Sequence, residues 1–168
     1  MEQGDLFEAC PVFAIGLPFS FEQYRTAGAS APFDVLERDV ITITQSCDLA
    51  KEYSKVQEAL LCPVWDLEKF SEKNEYVRQM KSREDIRQGK QPGYHMLNAC
   101  DLPDFERSIR LVDFHRVFSM PLEFMHGLAQ ARGKRLRLLP PYREHLGQAF
   151  ARYFMRVGLP VDIPSFRK

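Results

Sequence analysis

Residues 40–49 read Val-Ile-Thr-Ile-Thr-Gln-Ser-Cys-Asp-Leu, a β-branched run that stops in four polar or reactive side chains. Val40, Ile41, Thr42, Ile43 and Thr44 suit a pleated, half-buried surface, and nothing among them favours a helix or a turn. The run therefore predicts a strand. Gln45, Ser46, Cys47 and Asp48 then fall where a strand end aims amide, hydroxyl, thiol and carboxylate in alternating directions. That places a candidate site on a rigid support.

A chain of 168 residues with 45% hydrophobic content is large enough for one ordinary core and too short for two comfortable ones. Other strands are expected at residues 6–15, broken or bulged near Pro11, at 58–64, and at 94–99 and 108–119 as a returning pair. Residues 58–64, Glu-Ala-Leu-Leu-Cys-Pro-Val, are apolar enough to be buried on both faces. Between these strands, Leu67, Phe70, Tyr76, Val77, Met80 and Ile86 are spaced for a helical insertion over 66–89, closed by Gly89 and Pro92-Gly93. Residues 121–131 read as a short helix, and 134–139 alternate charge and leucine as an edge strand does. Pro140-Pro141 opens the clearest helix, over 141–157, whose stripe of Leu146, Phe150, Tyr153, Phe154 and Val157 packs on the sheet. Residues 26–32 are rich in small residues and read as a loop. The pattern predicts one α+β domain built on a small, strongly curved sheet or barrel, with barrel segments at about 1–64 and 94–139.

Acidic and basic residues balance at 23 each, so no bulk field steers the chain toward nucleic acid or membrane. Their distribution is uneven: residues 127–168 hold nine basic and two acidic side chains, leaving 14 basic and 21 acidic in the first 126. Either the two parts attract each other within one fold, or Arg135, Arg137, Arg152 and Arg156 form a basic face for phosphates. The acidic first residues lack the pattern of a signal peptide, and no apolar run approaches the ~20 residues that span a bilayer. A cytoplasmic protein with reduced thiols is expected. Cys10, Cys47, Cys62 and Cys100 show no CxxC spacing and no nearby histidine, so neither a metal nor a cofactor is expected.

Several segments together carry a resemblance: Gly4-Asp5-Leu6, the strand end Ile43-Thr44-Gln45-Ser46-Cys47-Asp48, Leu61-Cys62-Pro63-Val64, and a closing Met155-Arg156-Val157-Gly158-Leu159-Pro160. The chain resembles a group of bacterial proteins with these segments, and its layout is similar to the SH3-like barrel of the MazF/PemK toxin family. That family cleaves or binds RNA with an arginine in the loop after its first strand and a hydroxyl residue at a later strand end. The resemblance implies Ser46 as the hydroxyl residue and Arg25 or Arg38 as the arginine, in a toxin–antitoxin or phage-defence setting. The Cys47-Asp48 tip, the helical insertion and the extended C-terminal arm depart from that family's pattern.

Three functions follow as expectations. Metal-free RNA cleavage needs a base, a cation and an acid, roles open to Asp48, Arg38 and His95. In the plainer alternative Asp48 caps a turn, and His95 and His115 are satisfied sheet histidines. A thiol hydrolase would use Cys47, which otherwise serves as a structural thiol. A non-catalytic interaction module would bind a protein partner through the C-terminal tail or the barrel edge, with a homodimer through the exposed edge at 136–139.

Overall fold

The computed structural model describes residues 1–15, 20–27, 33–50 and 56–155. Six strands, β1 (Leu6–Ile15), β2 (Phe33–Thr42), β3 (Glu58–Asp66), β4 (Tyr94–Leu97), β5 (Arg110–Asp113) and β6 (Phe118–Pro121), form one sheet. Its order is β1-β2-β3-β5-β4, with β6 also on β3. Every pairing is antiparallel. The helices are α1 (Phe21–Ala27), α2 (Ser46–Leu49), α3 (Leu67–Lys73), α4 (Glu75–Arg78), α5 (Met80–Arg87), α6 (Leu122–Arg132) and α7 (Tyr142–Phe154).

The expected SH3-like barrel is not there. The strand path ends at β1 and β4, which do not pair, and the sheet is neither closed nor strongly curved. The reason lies in the side-chain alternation. Phe7, Val40 and Leu61 face one layer, which includes Leu122, Met125 and Ala129 of α6. Their sequence neighbours Leu6, Ile41 and Cys62 face the opposite layer, with Leu146 of α7. A barrel strand buries one face in a single interior, whereas these central strands bury both. The helical insertion adds to the α6 side, where Leu67, Val77 and Ile86 pack on Leu111 of β5.

Two irregularities shape the sheet. Phe7 opposes Val40 and Cys10 opposes Arg38, so three steps along β1 meet two along β2. The extra residue makes a bulge at Glu8 and Ala9, close to the break expected near Pro11, with Ala9 at φ 45° and its N–H donating to Asp39 Oδ1 at 2.8 Å. Along the other edge of β3, Val64 opposes Val112 and Leu61 opposes Phe118, so three steps meet six. The strand expected over 108–119 is thereby divided into β5 and β6. The surplus residues carry Phe114, almost wholly buried, beneath α7.

The edge expected at 134–139 is a single bridge. Arg137 pairs with Asp5, the Leu6 N–H donates to Leu136 O at 2.9 Å, and the Leu138 N–H donates to Gly4 O at 3.0 Å. Leu136 and Leu138 lie against the α7-side core, while Leu139 is exposed. Among the described residues no helix is long and apolar enough to cross a membrane.

Candidate functional site

The strand end folds differently from the alternating tip expected of it. β2 stops at Thr42, and Ser46, Cys47 and Asp48 sit on the single helical turn α2, anchored by the buried Leu49. Two neighbouring hydroxyls are occupied structurally. Ser46 Oγ accepts the Gln3 N–H at 3.1 Å, and Thr44 Oγ1 accepts the Leu60 N–H at 2.7 Å. Cys47 is exposed, with Sγ 3.8 Å from Gln45 Oε1. Asp48 lines a depression with Gln3, Thr44, Gln45, Glu58 and Phe150. Among the described residues no arginine, lysine or histidine lines it. Among the described residues, the depression beside Asp48 therefore offers no cation to a phosphorane charge.

Arg38 is elsewhere. Its guanidinium lies 5.7 Å from the centroid of Trp65, on the α3 side of the sheet. Trp65 stacks on Phe70 at 5.6 Å, and Phe70 meets Tyr94 edge-on at 6.0 Å. These rings floor an open cleft of about 780 Å³ that Lys69, Lys73 and Arg116 also line. The cleft has an equal number of carboxylates, and three of the four already have partners. Asp39 accepts the Ala9 N–H, Asp66 caps α3 by accepting the Lys69 N–H at 3.0 Å and bonds Ser108, and Asp113 meets His115 Nδ1 at 2.7 Å. The hydrogen bonds from the Lys69 N–H and from Ser108 hold the Asp66 carboxyl below its ordinary value. His115 follows this orienting carboxylate and packs over Gly93, where a Cβ would collide with its ring. His95 is half-buried, and burial with the nearby His145 pushes its imidazole down to about 4, so it is neutral near pH 7.

The arginines proposed to face phosphate divide into three groups. Arg135 and Arg137 converge on Asp5, which is 0% exposed. Arg137 and Arg143 also reach Glu2, at 2.7 and 3.4 Å. Three basic residues of the later part, Arg135, Arg137 and Arg143, thus pair with the acidic Glu2 and Asp5. Arg25 on α1 and Arg152 on α7 are exposed, and Arg156 and the tail lie outside the described residues.

One feature escaped the sequence reading. β2 pairs with β3 only through Val40, Ile41 and Thr42, yet its pairing with β1 continues to Phe33. The two strands therefore run past the sheet as a two-stranded arm. Phe13 opposes Val35, and Phe33 lies two residues from Val35, so all three share one face. They are 48%, 61% and 67% exposed, and Phe21 and Tyr24 of α1 are 75% and 50% exposed. Phe33 and Val35, apolar and two residues apart on either side of Asp34, were the available signal. No protein-family model matches the chain, and no curated protein matches it.

Proposed function

We propose that this protein is a non-catalytic interaction module that associates with a second copy of itself through the β1–β2 arm. The carrying observation is the exposed apolar face of Phe13, Phe33 and Val35, and Phe21 and Tyr24 of α1 are exposed as well. Contiguous exposed apolar surface of this kind marks interaction sites, and aromatic side chains are enriched in their cores. Two further facts support the reading. An isolated two-stranded ribbon is marginal in water, so a covering partner stabilises it. The outer edge of the arm also has no strand beside it among the described residues, and a two-fold axis places the same edge and the same face against each other. Sedimentation equilibrium over roughly 1–200 µM protein is expected to show a reversible dimer. Phe33→Glu combined with Val35→Glu, both at exposed positions, is expected to stay monomeric with its fold intact. A wild-type chain that is monomeric throughout would overturn the proposal.

A second reading, nucleic-acid binding, is favoured by one observation: Arg38, Lys69, Lys73 and Arg116 line one cleft, and none of them makes an ion pair among the described residues. Filter binding of labelled mixed-sequence single-stranded RNA tests it. Retention that falls about tenfold in Arg38→Glu with Arg116→Glu, and weakens with salt, supports this reading. No retention by the wild-type chain ends it.

A further inference from the structure

Arg110 opens β5, on the α7-facing side of the sheet that also carries Val112. It is 7% exposed, and its Nε is buried with no hydrogen-bond partner. Among the described residues no carboxylate forms an ion pair with it, although Arg83, Arg87, Arg107, Arg135, Arg137 and Arg143 all have acidic partners. A buried charge without a counter-ion is strongly unfavourable, and proteins normally pair it or leave it in water. Here it lines a cavity of about 410 Å³ instead, walled by Leu6, Leu97, Leu136, Leu138 and Tyr142, with Leu102 at 59% exposure beside it. Burial, together with the like charge of Arg107, pushes the Arg110 guanidinium down from its ordinary value, more than the fields of Glu8 and Asp39 push it up. An arginine nevertheless stays charged at neutral pH.

The wall sets the class of ligand. Arg137, the other cation lining the cavity, is bonded to Asp5 and Glu2. His95, also on the wall, is neutral, with its imidazole pushed down to about 4. One positive charge without an ion pair among the described residues thus lines a mostly aliphatic space within the range of small-molecule pockets. We propose that this cavity binds a small monocarboxylate with an apolar body, its carboxylate on the Arg110 guanidinium and its hydrocarbon part against the leucines. A guanidinium presents two parallel N–H donors that match a carboxylate. A single charge suits a monoanion better than a phosphate dianion. The cavity is on the α7 side of the sheet and does not involve the arm, so this site stands or falls independently of self-association.

Isothermal titration calorimetry of the full chain with octanoate, octan-1-ol and inorganic phosphate tests the site. Octanoate is expected to bind one to one and about 10–100-fold more tightly than octan-1-ol, the range that a charge-assisted hydrogen bond supplies. Arg110→Met is expected to lose that preference while melting no lower than the wild-type chain, because it removes an unpaired buried charge. Leu102→Glu, an exposed change beside the cavity, is expected to weaken octanoate about tenfold through like-charge repulsion. Should Arg110→Met fail to fold, the octanoate-to-octanol ratio and the Leu102→Glu variant still decide the matter. Absence of saturable octanoate binding, equal binding of octanol, or octanoate affinity unchanged in either variant would overturn the proposal. Phosphate binding as tightly as octanoate and competing with it would overturn the apolar part.

Discussion

Asp5→Ala is expected to destabilise the protein by about 3–5 kcal/mol, the usual cost of removing one partner from a buried ion pair. Asp5 is wholly buried and accepts from the Arg135 guanidinium at 2.9 Å, from Arg137, and from the Glu2 N–H at 3.0 Å. The variant leaves two guanidiniums without their common acceptor. It also loosens the segment around Arg137 that pairs with the first residues of the chain. For a chain of this size the loss corresponds to a fall in Tm of about 10 °C or more. Burial alone would push the Asp5 carboxyl up. The hydrogen bonds from Arg137, Arg135 and the Glu2 N–H outweigh it and hold the group below its ordinary value of 3.8. A carboxylate with a depressed folded pKa contributes stability that is complete above the unfolded value and lost as pH falls through the folded one. Thermal melts at neutral pH and near pH 3 should therefore show the gap between wild type and variant shrinking on acidification. A gap that is constant with pH would show that the Asp5 charge does not stabilise the fold.

Phe114→Ala is expected to cost a comparable ~3–5 kcal/mol, through the cavity left by a large buried ring. Phe114 meets Phe150 edge-on at 5.5 Å and Tyr153 at 6.2 Å, both on α7. Its N–H donates to Gly93 O at 3.0 Å, which fixes the irregular backbone between β5 and β6. The loss should therefore be uneven. Hydrogen exchange in the variant is expected to show α7 amides opening at lower free energy than those of β2 and β3, because α7 rests on this ring while the central strands keep their pairing. Uniform loss of protection across the sheet and α7 would show that α7 is not separately anchored here.

Much of the framework was legible in the residues. The runs Val40-Ile41-Thr42 and Leu60-Leu61-Cys62-Pro63-Val64 mark central strands, and the stripe through Leu146, Phe150 and Tyr153 marks the helix that covers one face. The same strands carried the evidence against a barrel. A continuous apolar run means burial on both faces, which here α6 and α7 supply from opposite sides of an open sheet. The chemistry of the site was less legible. Ser46, Cys47 and Asp48 look like a strand tip, but Gln45 starts a helical turn, so the side chains follow helical rather than alternating directions. Arg38 is adjacent in sequence but lies on the far part of β2, and the distance along an extended strand separates it from that turn. Arg135 and Arg137 resemble a phosphate-binding face because their shared partner, Asp5, is about 130 residues away in sequence. Arg110 gave no local signal, since an unpaired buried charge is a property of the packed fold and not of its neighbours in the chain.

Self-association through the arm is tested most directly by hydrogen–deuterium exchange of the full chain at low and high protein concentration. Protection that grows with concentration and is confined to residues 10–15, 20–27 and 33–38 is the predicted result. Exchange that is the same at both concentrations, or protection that grows elsewhere on the sheet, would contradict it.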